Sequence, residues 1–158
     1  MEFLEFNQIQ EWCGERGIDV DAERDEPLDT GFDIVTQRLF GQAVEPEGQE
    51  LEVAAWLLEN LGDWDECLLW ITLWGVWPSS EDWPAYYSAR GDHSERRSLD
   101  RAPGHLFTTG DRIALLQFVE VVLKNAWDAH ILPAVNGRAS NRRVFISHDE
   151  CVDLLAAR

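Results

Sequence analysis

The string Ser147-His148-Asp149-Glu150 places a hydroxyl, an imidazole and two carboxylates side by side. An imidazole beside carboxylates can shuttle protons near neutral pH, and the same groups are metal ligands. Upstream, His130-Ile131-Leu132-Pro133 and Arg143-Val144-Phe145-Ile146-Ser147 read as two strands, and Asn136-Gly137 between them favours a hairpin. Antiparallel pairing sets the start of the first strand beside the end of the second. His130 would then approach His148, giving a His130/His148/Asp149/Glu150 set suited to a small metal-dependent hydrolase. The structural alternative is a capping box: Ser147 and Glu150 have the required spacing, and acids favour a helix N-terminus. On that reading residues 149–157 close the chain as a helix.

A second set of chemically capable residues is acidic. Asp19, Asp21, Asp25, Glu26, Asp29 and Asp33 crowd the stretch 17–33, which Pro27 and Gly31 mark as an acidic loop excursion. The alternation from Asp19 to Asp25 resembles the start of a calcium loop. Arg24 and Thr30, however, stand where such a loop needs its glycine and its bidentate Glu. Carboxylates so clustered suit a cationic partner instead. A third set is aromatic. Trp77, Trp83, Tyr86 and Tyr87 follow the most apolar segment, where aromatics line pockets or anchor interfaces.

Composition narrows the functions these sets can serve. The 158 residues carry 30 acids and 13 bases, a formal net charge of −17. Residues 1–66 hold 19 of the acids and only Arg16, Arg24 and Arg38 as bases. Direct nucleic-acid binding by that part is disfavoured, because phosphate contacts need Lys and Arg. Docking on anionic lipid is disfavoured on the same ground. Arg138, Arg142 and Arg143 in the hairpin, with Arg96, Arg97 and Arg101 before it, are available to pair with the acidic part. Three dispersed cysteines without a CxxC pair give no disulfide framework or zinc site, no cofactor is expected, and a reducing cytoplasm is the expected location. No phosphate-cradling glycine loop and no GxSxG elbow occurs.

The elements that must position these residues follow from periodicity. Phe6, Ile9 and Cys13 mark a helix over 6–16, and Leu51, Ala54, Leu58 and Leu61 mark another over 49–61. Residues 34–40 read as a strand. Cys67 to Trp74 shows no polar alternation, so it reads as a central strand covered on both faces. A short helix over 81–90 precedes a mixed-charge loop over 91–107. Thr108 and Asp111 form a capping box before a helix over 111–126. Trp64-Asp65 and Trp127-Asp128 each follow a helix and open a strand, a faint internal echo.

The expected fold is therefore α/β or α+β: one globular domain over 1–158, with a small mixed sheet of about four strands, a Trp-rich centre and about five flanking helices. The expected function is a non-enzymatic acidic binding protein. Bacterial immunity proteins that neutralise nucleases are small and acidic because their carboxylates occupy a site built for phosphate. Neutralising Asp21, Asp25 and Asp29 is expected to spare folding and abolish a charge-driven interaction. The alternatives are the metal-dependent hydrolase and an interaction subunit that uses its aromatics.

Overall fold

Cys67, Leu69 and Ile71 point to one side of their strand and Leu68 and Trp70 to the other, and all five are buried. A strand of this kind needs cover on both faces. A computed structural model describes residues 1–40 and 48–158, and it supplies that cover from helices on either side of one large sheet.

In chain order the elements are β1 (Glu2–Leu4), α1 (Phe6–Glu15), β2 (Val20–Asp21), β3 (Glu26–Pro27), β4 (Phe32–Leu39), α2 (Gln49–Asn60), β5 (Glu66–Leu73), α3 (Trp83–Asp92) and β6 (Gly104–Thr108). A 3₁₀ turn (Thr109–Asp111) leads into α4 (Arg112–Lys124), followed by β7 (Asp128–Val135), β8 (Arg138–Ala139), β9 (Arg142–Ser147) and β10 (Cys151–Ala157). The large sheet has eight strands in the order β1-β6-β5-β7-β9-β10-β4, with β8 hydrogen-bonded to β7. Every pairing in it is antiparallel. β2 and β3 form a separate two-stranded ribbon.

One face packs on α2 and α4, with Tyr86 of α3 beside them; Leu57, Phe118, Val119 and Trp127 fill that core together with β5, β7 and β9. On the opposite face Ile9, Trp12 and Cys13 of α1 meet Leu68, Trp70, Leu132 and Ala134. The chain is thus α+β, with four α-helices and eight strands in the main sheet among the described residues.

The small four-stranded mixed sheet with five helices does not hold, for local reasons. The helix expected over 149–157 is strand β10. Ser147 to Glu150 is a tight turn instead of a cap: Glu150 N–H donates to Ser147 O at 3.1 Å, and Glu150 has φ +57°. Leu and Ala make 151–157 helix-compatible, but Val152 and Leu154 alternate inward against β9. The loop over 91–107 contains most of β6, paired on both sides, so its polar His105 is a core residue. β1 is too short for a periodicity to register. The loop over 17–33 is organised by the β2–β3 ribbon. The helices over 6–16, 49–61, 81–90 and 111–126 and the strands at 34–40, 67–74, 130–133 and 143–147 appear close to their expected limits. So does the Thr108–Asp111 capping box.

β6 passes beneath α1 so closely that a Cβ on Gly104 would lie 2.8 Å from both Cγ1 and Cδ1 of Ile9 and 3.1 Å from Cβ of Leu4. Gly104→Ala is expected to destabilise the fold by about 1–3 kcal/mol through overpacking. Urea denaturation checks it, and Ile9→Val in the same chain should recover part of the loss.

Candidate functional site

The acidic set lies on the α1 side of the sheet. Ile18 enters the core below α1, and Leu28 N–H donates to Asp19 O at 2.8 Å, so the β2–β3 ribbon extends the α1 layer. Residues 1–33 carry 11 Asp and Glu against Arg16 and Arg24. Glu11 and Glu15 on α1 and Asp19, Glu23 and Asp25 on the ribbon are exposed.

The six residues singled out from the sequence divide by what they do. Asp21 Oδ1 accepts the backbone N–H of Glu23 and Arg24 at 2.9 and 3.3 Å, which builds the ribbon's turn. Arg24 lies 3.9 Å from Asp21 and 3.6 Å from Glu26. Asp29 pairs with Arg143 at 3.2 Å, and Arg143 also donates to Leu28 O at 2.9 Å. Burial pushes the Asp29 carboxyl above its usual range despite that arginine. Asp33 pairs with Arg158. Asp19 and Asp25 take part in no ion pair among the described residues, nor does Glu23, which sequence reading left out. The hairpin arginines thus pair with the acidic part through Arg143, and Arg97 adds a bridge to Glu5 at 3.2 Å.

The imidazole set separates. His148 Nδ1 lies 2.8 Å from Asp128 Oδ1, which also accepts the His148 backbone N–H. Asp149 is 3.7 Å from His148 Nε2 and exposed, and Glu150 occupies the turn. Asp128 was legible as a strand opener through its Trp-Asp echo. Asp65, its counterpart, accepts the Asn136 N–H at 2.7 Å, so each aspartate ties a strand start to a neighbouring turn. His130 does not join His148. It lies tilted against Phe145, with ring centroids 4.9 Å apart, and lines a small hollow below the Glu26–Asp29 segment. Its Nε2 is buried without a hydrogen-bond partner. Among the described residues no three His, Cys, Asp or Glu are grouped to hold a metal ion.

A hollow of about 420 Å³ lies beside His148, lined by Phe40, Trp77, Ser80, Lys124 and Glu150 among others. Of the aromatic set, Trp77 is 53 % exposed there and sits 3.4 Å from the His148 carbonyl through Nε1. Trp83 is half-buried against Trp127 and stacked on Tyr87. Tyr87 is partly exposed and accepts the Leu99 N–H. Tyr86 is fully buried and is no surface anchor. Its hydroxyl lies 2.9 Å from His105 Nε2 and accepts from Arg90 at 2.6 Å. The Tyr86/Arg90 spacing, one helical turn apart, was the only trace of this network in the sequence.

His105 and His130 are both held neutral: burial first, then Arg90 and Arg143 respectively, drives each imidazole down to about 3. The unfolded chain takes up these protons near pH 6.5 and the folded chain does not. Stability is therefore complete above pH 6.5 and falls as pH drops from there towards 3, by about 1.4 kcal/mol per pH unit for each histidine. Urea unfolding at a series of pH values checks this, and His130→Phe is expected to remove about one proton from the slope. Asp128→Ala should cost about 1–3 kcal/mol by stripping the partner from two His148 donors, read at neutral pH.

No helix among the described residues is long and apolar enough to cross a membrane. No family model matches the chain, and neither does any curated protein or solved structure in the comparisons made.

Proposed function

We propose that the chain is a non-enzymatic binding protein whose acidic α1/ribbon face engages a basic protein, in the manner of an immunity-type inhibitor covering a nuclease's phosphate-binding site. The observation that carries this reading is the division of labour among the carboxylates. Asp21, Glu26 and Asp29 hold the ribbon in place, while Asp19, Glu23 and Asp25 project from it without ion pairs among the described residues. A fixed scaffold bearing unneutralised charge gives electrostatic complementarity at little ordering cost on binding. Arg16, Arg24 and Arg143, which lie in or against this layer, are already spent on internal pairs, so much of the excess is directed outward.

The metal-dependent hydrolase loses its basis in His130, which faces Phe145 and the ribbon while His148 faces Asp128. The aromatic interface retains Trp77 and part of Tyr87 but not Tyr86.

The variant set follows from the same division. Asp21 and Asp29 are structural, so neutralising them confounds folding with binding. Asp19→Asn/Glu23→Gln/Asp25→Asn is expected to leave the urea midpoint within about 0.5 kcal/mol of the parent, as surface changes do. The same variant should weaken capture of basic proteins from a lysate by about tenfold, an effect that high salt reproduces in the parent. Salt-insensitive capture, or capture unchanged by the triple variant, would show the acidic face to be a solubilising surface only.

A further inference from the structure

The outer edge of β4 has no neighbour in the sheet among the described residues, although the strand is eight residues long. Ile34, Val35 and Leu39 are each more than half exposed on it. Long apolar edges invite pairing, and folded proteins blunt them with charge, proline or distortion. β4 has one acid, Asp33, and one base, Arg38, and is thus neutral within an otherwise strongly acidic N-terminal part.

The strand also carries an irregularity that arranges those two charges. Pairing with β10 shifts register so that Thr36 faces Leu154 while Ile34 faces Leu155, which leaves Val35 as an extra residue. Arg38 lies opposite Val152 and Asp33 opposite Ala156, and alternation along β10 puts Val152, Leu154 and Ala156 on one face. The Arg38 guanidinium accordingly sits 5.5 Å over the Trp56 ring of α2. In a regular strand, residues five apart point to opposite faces. Here the bulge brings Asp33 and Arg38 to the same face. Backbone direction follows suit. Phe40 N–H donates to Glu150 O, and Arg158 N–H to Gly31 O. Counting alternately inward from these two ends, Ile34, Gln37 and Leu39 turn their backbone groups away from β10.

We propose that β4 is a homodimer interface, with a second copy adding its own β4 antiparallel across a two-fold axis. Setting Val35 of one copy opposite Thr36 of the other is the register in which paired residues share a face along the whole strand. It places Asp33 opposite Arg38 twice, Phe32 opposite Leu39 twice and Ile34 opposite Gln37 twice. A two-fold interface must be self-complementary, and this one is so in charge, in face and in backbone direction. Asp33 meets Arg158 of its own chain through Oδ1.

Sedimentation equilibrium of the full chain, from micromolar to submillimolar concentration in moderate salt, tests the proposal. A concentration-dependent dimer is expected. Asp33→Arg and Arg38→Asp should each weaken it about tenfold or more, because each sets like charges opposite one another at two symmetry-related positions. Asp33→Arg/Arg38→Asp in one chain restores the pairing and should return the dimer, which separates an interface effect from misfolding. A monomer at every concentration overturns the proposal. So does a dimer indifferent to both reversals, or a double variant as weak as the single ones.

Discussion

The paired centre of the sheet, β5 against β7, is apolar and buried on both faces, and the other layers are arranged to keep water from it. Each large side chain hidden there contributes about 1.5–3 kcal/mol of transfer free energy. The α2/α4 layer packs one strongly apolar face on the sheet, with Tyr86 of α3 beside it, while residues such as Leu51 and Ile113 stay exposed on its outer side. The opposite layer is a single short helix and a ribbon, so α1 must divide sharply between a buried face of Ile9, Trp12 and Cys13 and an outer face of amides and acids. The acidic surface is therefore the solvent side of a structural requirement. A thin cover over an apolar strand has one inner face for the core and one outer face for charge.

Some of the polar groups enclosed by that packing find local partners, while Nε of Arg90 and Arg143, Nε1 of Trp12 and Trp64 and Nε2 of His130 are buried without one. Arg90 is wholly buried and, among the described residues, makes no ion pair with a carboxylate. It donates to the carbonyls of Ala102 at 3.1 Å and Arg97 at 3.0 Å as well as to Tyr86, and it lies 4.7 Å over the Phe3 ring. Burial pushes the Cys13 thiol up to about 12 and Cys67 higher still, so both behave as small apolar side chains.

Where the sequence was legible, a single local pattern was enough. The unbroken apolar run of β5, the 3.6-residue spacings of α1, α2 and α4, and the Thr108/Asp111 cap each encode their element without help from distant residues. Three failures share one cause, which is that pairing decided the outcome. Gly104 to Thr108 has no strand signature beyond Leu106 and Phe107, yet β1 and β5 flank it and make it a strand. Residues 151–157 have helical composition, yet β9 and β4 claim both edges. His130 and His148 were placed together by a correct hairpin. Side-chain alternation and the turn at 147–150 then sent His148 to Asp128 instead. For the candidate site, charge density was visible from composition. Which carboxylate is spent on Arg143 was not, because that partnership depends on the tertiary position of β9.

The strand order also sets a timetable. β4 spans residues 32–39, but its one neighbour in the sheet among the described residues is β10 at 151–157, more than a hundred residues further along. β1 waits similarly for β6. Loop closure over such distances is slow, and unpaired strands are exposed meanwhile. On the ribosome, β4 emerges early with Ile34, Val35 and Leu39 uncovered, and it has to survive as a sticky ribbon until the last strand is made. The dense negative charge on either side of it, from the 19–29 stretch before and α2 after, repels neighbouring nascent chains during that interval. These carboxylates then act as guards of an unfinished sheet.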